Sequence, residues 1–289
     1  MPESSQRTDA SWSQALALAS EALAVEPAGL LTDYDGTLSR IVPDPSAATL
    51  VDDAGPALAA LADRLAVVAF VTGRAPHDVR RLTGLSTILV AGNHGTEFLE
   101  PGSQTSASTV DRGATEAAVA RALDRLPTLA GTTVEHKGLS ASVHYRNATD
   151  PVAARLAIHA ALGHVDDDGL ILRDGRMIVE ILPVAAGDKG TATRQIATRF
   201  GLRGLVVLGD DVTDLDMFRA AADLRAEGVR VAIVGVGAGA EAPPEVAAAA
   251  DAMVTDANAA ASLLAALAEG SAPIRRARRD PRAGGAATR

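Results

Sequence analysis

Five stretches of the chain are continuously apolar and end in Gly, Asp or Thr: "GLLTD" at 29–33, "LAVVAFVT" at 65–72, "STILVAG" at 86–92, "GLVVLGD" at 204–210 and "VRVAIVG" at 229–235. Short uninterrupted apolar runs of this kind read as strands buried on both faces, as in a parallel sheet. Helical periodicity lies between most of them, near 52–64, 76–83, 188–200, 214–226 and 256–268. The alternation predicts an α/β fold, an open, Rossmann-like parallel sheet with helices on both faces. In such sheets ligands bind beyond the carboxyl ends of the strands. Asp33, Thr72, Asn93 and Asp210 all fall at those ends.

Residues 105–182 have a different texture. "TTVEHKG", "LSASVHYR", "GLILRD" and "RMIVEIL" alternate polar and apolar positions, the pattern of half-exposed antiparallel strands. Asp174-Gly175 between the last two predicts a two-residue hairpin turn. With helical patterns at 112–126 and 150–163, this section reads as a small α/β domain inserted into the larger one. The expected organisation is an N-terminal helix over 1–27, a discontinuous core over 28–104 and 183–268, the insert over 105–182, and a basic tail over 269–289. In the strand "SASVHYR", Ala141, Val143 and Tyr145 share one face, and Ser140, Ser142, His144 and Arg146 the other. That polar face either meets water or grips a hydroxyl-rich ligand.

Composition narrows the functions available. The 289 residues contain no cysteine, which excludes disulfides, thiolate zinc sites and cysteine nucleophiles. The formal charge is −9, unevenly placed: residues 271–289 hold six arginines and one aspartate, leaving 21 basic against 35 acidic residues elsewhere. An acidic body argues against nucleic acid as a partner. The tail reads as a disordered, solvated end, with contact to an anionic partner the alternative. At the N-terminus, Glu3 precedes any basic residue and Glu21 interrupts the apolar stretch, so no secretory leader is expected. Trp12, Leu16, Ala19 and Leu23 recur at helical spacing and predict a helix packed on the core. No apolar run reaches the roughly 20 residues of a membrane span. A soluble, cytoplasmic monomer is expected.

Two acidic clusters carry the candidate chemistry. "DYDGT" places Asp33 and Asp35 after the first core strand, and "GDDVTDLD" places four aspartates within seven positions after another. Aspartate is common in a first helical turn, which accounts for one or two of them. Hard oxygen ligands gathered at two strand ends also suit Mg²⁺. Of 27 basic residues only Lys137 and Lys189 are lysine; Lys189 opens a helix, where ammonium and helix N-terminus together suit a phosphate. Thr72 reads as a helix N-cap that also suits phosphate. "GVGAG" at 235–239 reads as a loop rather than a nucleotide site.

In order along the chain, "DYDGT", "VTGR", "GDKG" and "GDDVTD" resemble the motifs of haloacid-dehalogenase-type phosphatases, over roughly residues 28–268. An α/β cap between the second and third motifs is typical of that superfamily. "GNHGTE", the segment holding Lys137, His144 and Arg146, and "VEILPVAAGDKG" resemble its trehalose-6-phosphate phosphatase branch. The resemblance implies Asp33 as nucleophile, Asp35 as general acid and base, and Thr72 and Lys189 as phosphoryl ligands. Magnesium would be held by Asp33, the backbone carbonyl of Asp35 and Asp210, with Asp211 and Asp214 in support. Arg74, Asn93, His94, Gly95, Glu97, Lys137, His144, Arg146 and Glu180 are implied for a small-molecule sugar phosphate. Another sugar phosphate, such as a sucrose or glycosylglycerate phosphate, a non-catalytic sensor, and a phosphomutase remain the alternatives.

Overall fold

The computed structural model describes residues 3–42, 44–175, 177–185, 187–237 and 243–270. The apolar runs form β1 (Ala28–Thr32), β2 (Val67–Val71), β3 (Leu89–Gly92), β10 (Gly204–Gly209) and β11 (Arg230–Val236). With β4 (Glu97–Leu99), β5 (Ala107–Ser108) and β12 (Ala252–Val254) they make one eight-stranded sheet in the order β12-β11-β10-β1-β2-β3-β4-β5. The strands from β12 to β3 pair in parallel, and β4 and β5 join antiparallel.

Continuous apolarity is needed because both faces are covered. Leu30, Val68, Phe70, Val206 and Leu208 pack under α1 (Glu3–Leu23), α2 (Ala54–Ala62), α3 (Pro76–Thr83) and α9 (Ala257–Glu269). The alternate residues Leu31, Ala69, Val71, Leu205 and Val207 pack under α6 (Lys189–Phe200), α7 (Leu215–Ala226) and α8 (Pro244–Ala249). In α1, Ala19 is buried and Trp12, Leu16 and Leu23 lie against the core, as their spacing predicts. Among the described residues no helix is long and apolar enough to cross a membrane.

The insert forms a four-stranded antiparallel sheet, β6 (Thr133–His136), β7 (Ala141–His144), β9 (Ile178–Pro183) and β8 (Leu170–Gly175) in that order. It is backed by α4 (Arg112–Asp124) and α5 (Pro151–Leu162). Ala141, Val143 and Tyr145 fill its own core with Val119, Ile158 and Val179, so the alternation read from the sequence holds. Because β5 still pairs within the large sheet, the chain leaves that sheet after Ser108, later than expected. The hairpin turn is also displaced. Asp174 and Gly175 are ladder residues, with Gly175 opposite Ile178. Asp174 is held in the strand by Arg155 at 2.6 Å and His159 at 2.9 Å, both on α5. The positive φ is taken by Met177 instead. The expected basic tail, from residue 271 onward, and residues 238 and 239 of "GVGAG" lie outside the described residues.

Candidate active site

Strands β10, β1, β2 and β3 are sheet neighbours, so the residues following them fall side by side along one edge. Asp210, Asp33, Thr72 and Asn93 are those residues, and all but Asp210 are buried. Lys189, the first residue of α6, reaches in from the helix side. Its Nζ lies 2.8 Å from Asp33 Oδ1 and 2.7 Å from Asp214 Oδ1, with all three side chains almost wholly out of water. Burial alone would lower the lysine, but the Asp214 and Asp33 carboxylates beside it carry it above its usual value.

Asp33, Asp210 and Asp214 each place a carboxylate oxygen within 4.8 Å of the others. Burial raises both Asp33 and Asp210 above the ordinary aspartate range; for Asp33, Lys189 opposes the rise and Asp214 adds to it. Three carboxylates against one ammonium leave an excess of negative charge, and the all-oxygen donor set suits a hard divalent cation. The loop is shaped for close approach: Gly36 has φ +80°, and a Cβ there would lie 2.0 Å from Asp210 Oδ2. Thr37 Oγ1 donates to Asp210 Oδ1 at 2.6 Å.

Other expected residues take different places. The carboxylate of Asp211 is turned to the backbone N–H of Val212 at 2.7 Å, capping a helical turn, and stands outside the carboxylate cluster. Asp214, expected only in support, is inside that cluster; its Oδ2 accepts the N–H groups of Asp210 and Asp211 at 2.9 and 3.1 Å. Arg74 does not extend freely, since it holds both oxygens of Asp35 at 2.6 and 2.7 Å. Thr72 does not cap α3, whose N-cap is Ala75; its hydroxyl accepts the Arg74 N–H at 3.2 Å.

Asn93, His94 and Gly95 all have positive φ, at 48°, 56° and 95°. This left-handed run points side chains from the core toward the cap. Asn93 Oδ1 accepts from Ser140 of the cap at 2.7 Å, and His94 Nε2 meets Glu180 Oε1 of β9 at 3.0 Å. Lys137 Nζ reaches Gly73 O at 3.4 Å and lies 3.7 Å from Glu180. Gly95 itself packs against Ala192 of α6. Glu97 lies beneath the run, buried and bonded to Asn93, Ser106 and Arg112, so it supports the run rather than lining a cleft.

On the cap, one row of side chains faces the core: Glu135, Ser142, Glu180 and Arg173 are successive partners across β6, β7, β9 and β8. His144 Nε2 is 3.0 Å from Glu135 Oε2. Burial would raise Glu180, but His94 and then Lys137 bring it down to about 2. Arg146 is not brought in; it sits past the end of β7, exposed in a turn. Sequence reasoning missed Glu135, although its signal was present, two residues before Lys137 on the same alternating face.

A trehalose-phosphatase family model matches residues 31–245. The chain is 37% identical over 239 residues to a trehalose-phosphate phosphatase of Mycobacterium avium, covering 79% of this chain and 60% of that protein. It is 43% identical over 199 residues to an uncharacterised glycosyl hydrolase of Mycobacterium tuberculosis, covering 65% of this chain but 15% of that one. The fold matches the C-terminal domain of a trehalose-6-phosphate phosphatase of C. albicans with a TM-score of 0.71, at 22% identity and over 88% of this chain and 97% of that one. With its four ordered motifs gathered at one sheet edge and the family model spanning core and cap alike, the chain belongs to the trehalose-phosphatase family.

Proposed function

We propose that the chain is a Mg²⁺-dependent phosphatase that hydrolyses trehalose 6-phosphate to trehalose and phosphate. The observation that carries the reading is the buried Asp33 carboxylate at the end of β1, held by Lys189 and crowded by Asp210 and Asp214. A carboxylate kept out of water beside a cation suits a nucleophile toward a phosphate ester.

In this reading Asp33 attacks phosphorus, an aspartyl-phosphate forms, and the bond to the sugar oxygen breaks. Asp35 supplies the proton that the leaving oxygen takes up, and then accepts a proton from the water that cleaves the aspartyl-phosphate. Because Arg74 occupies both oxygens of Asp35, one of them has to be released first. Lys189 and Thr72 bind the phosphoryl oxygens. Asp33, Asp210 and the backbone carbonyl of Asp35 would hold Mg²⁺, with Asp214 ordering Lys189 and the loop; when bound, the ion offsets charge between carboxylate and phosphate.

The sugar reading is supported by family membership and by the cap row, where Glu135, Glu180, Lys137 and His144 offer the donors and acceptors a disaccharide needs. A cytoplasmic monomer acting on a diffusible sugar phosphate, with neither nucleic acid nor membrane as partner, belongs to the same reading. The acidic net charge of −9 supports the first exclusion.

The test is phosphate release from trehalose 6-phosphate, sucrose 6-phosphate, glucose 6-phosphate and glucosyl-3-phosphoglycerate, with Mg²⁺ or EDTA. Mg²⁺-dependent release from trehalose 6-phosphate alone is expected. Release from another sugar phosphate alone overturns the substrate, and release undiminished by EDTA overturns the metal.

A further inference from the structure

Two buried polar atoms at the seam between cap and core have no hydrogen-bond partner among the described residues: Ser142 Oγ and His94 Nδ1. Ser142 and the other ring nitrogen of His94 flank the same carboxylate, that of Glu180. Ser142 stands opposite Glu180 across β7 and β9 and opposite Glu135 across β6 and β7. Directly opposed residues on one sheet face have Cβ atoms about 5 Å apart, so its hydroxyl lies between two acidic side chains. His94 approaches Glu180 from the core side at 3.0 Å.

A buried hydroxyl without a partner is costly, and each such group in a folded protein calls for an explanation. Packing does not supply one. Ser142 is 0% exposed, yet its face is not the one that fills the cap core. That work falls to Ala141 and Val143 on either side, and alanine would fit an inert seam at position 142 without the cost.

Donor and acceptor chemistry supplies the explanation. The carboxylates in the row only accept, whereas Lys137 and Arg173 only donate. A sugar hydroxyl that donates to Glu180 keeps lone pairs free to accept from a donor close by, and Ser142, opposite Glu180 on the same face, is placed to give one. We propose that Ser142 is a specificity residue of this site, its O–H donating to a sugar hydroxyl that in turn donates to Glu180. The inference rests on the sugar-phosphate reading above. Because Ser142 is wholly buried, the sugar reaches it only as Glu180 parts from His94, so recognition and opening of the seam are one event. His94 Nε2, released from Glu180, then becomes available to the same ring.

Calorimetric titration of trehalose 6-phosphate and of inorganic phosphate onto the full chain carrying Asp33→Asn, which blocks turnover, with and without Ser142→Ala, tests this. The expected result is a loss of about 3- to 12-fold in trehalose 6-phosphate affinity, the size of one neutral hydrogen bond. Inorganic phosphate, which has no ring to be read, should bind within about twofold of its former affinity. The melting temperature should not fall, since the substitution only removes an unpaired buried hydroxyl. Equal affinity of both chains for trehalose 6-phosphate overturns the role of Ser142 alone. A parallel loss for both ligands with a lower melting temperature overturns it in favour of a structural role. Binding of phosphate without trehalose 6-phosphate overturns the sugar reading, and Ser142 with it.

Discussion

Arg74 grips Asp35 with two parallel hydrogen bonds, Nε to Oδ2 at 2.6 Å and Nη2 to Oδ1 at 2.7 Å. The guanidinium also lies 5.3 Å from the centre of the Tyr34 ring, so it is fixed from two sides. Asp35 leaves β1 on a loop and is 39% exposed at its side chain, whereas Arg74 is 10% exposed. The better-anchored partner therefore sets the position of the other.

Lysine cannot reproduce that fork, because an ammonium is a point charge without bidentate geometry. In the proposed reaction Arg74→Lys is expected to lower kcat by up to about 100-fold, part of the roughly 10²–10⁴-fold that general acid–base catalysis supplies. Its melting temperature should stay within a few degrees. Steady-state phosphate release beside a thermal melt checks this, and an unchanged kcat would remove Arg74 from the positioning of Asp35.

Lys189 is the cation that makes the buried carboxylates tolerable. Lys189→Met leaves Asp33 and Asp214 unpaired out of water, a defect of about 3–5 kcal/mol. At about 2–4 °C per kcal/mol for a domain of this size, the melt should fall by roughly 6–20 °C. Adding Asp33→Asn to that variant should restore part of the loss, since it removes one of the stranded charges. Calorimetry on the four chains closes the cycle, and strictly additive effects would mean that the pair is not coupled.

The aspartate shifts set the direction of a pH effect in metal-free protein. Asp33 and Asp210 both titrate above their unfolded range, so over that interval the folded chain binds more protons than the unfolded one. Stability should fall as pH rises from about 4, the ordinary aspartate value, toward and past neutrality. In EDTA the melting temperature is expected to be higher at pH 5.5 than at pH 8.5. Mg²⁺ should raise it more at pH 8.5, where the carboxylates are ionised and bind the ion. Equal Mg²⁺ effects at the two pH values would mean that these aspartates are not the ligands.

Apolar runs and motif order carried the sheet and the edge that gathers Asp33, Thr72, Asn93 and Asp210, because a strand buried on both faces writes itself as an unbroken run. Strands β4, β5 and β12 span three, two and three residues, too few to show a period. Asp174-Gly175 misled for a tertiary reason: Arg155 and His159 hold Asp174 in the ladder, and the turn moves along the chain. Spacing placed Asp211 beside Asp210, but only the folded loop shows its carboxylate turned to the Val212 N–H while Asp214 faces Lys189. The cap row needed register. Glu135, Ser142, Glu180 and Arg173 lie on four strands, and no single-strand pattern aligns them.

Two glycines separate backbone strain from damage to the site. Gly36 and Gly84 have similar left-handed backbones, φ +80° and +68°, so alanine at either carries a comparable cost of about 1–2 kcal/mol. Their surroundings differ completely. A Cβ on Gly84 meets nothing within 4 Å, whereas one on Gly36 falls 2.0 Å from Asp210 Oδ2 and 2.5 Å from its Cγ. Gly84→Ala should therefore lower the melting temperature by a few degrees and leave phosphate release at the parental rate. Gly36→Ala should displace the Asp210 carboxylate, cutting Mg²⁺-dependent release by about 100-fold or more, a loss typical of a disturbed charge-stabilising group. Raising Mg²⁺ should recover part of that activity if the displaced ligand weakens binding of the ion, and none if only geometry is lost. A Gly36→Ala chain as active as Gly84→Ala would show that the Asp210 position is not required for turnover.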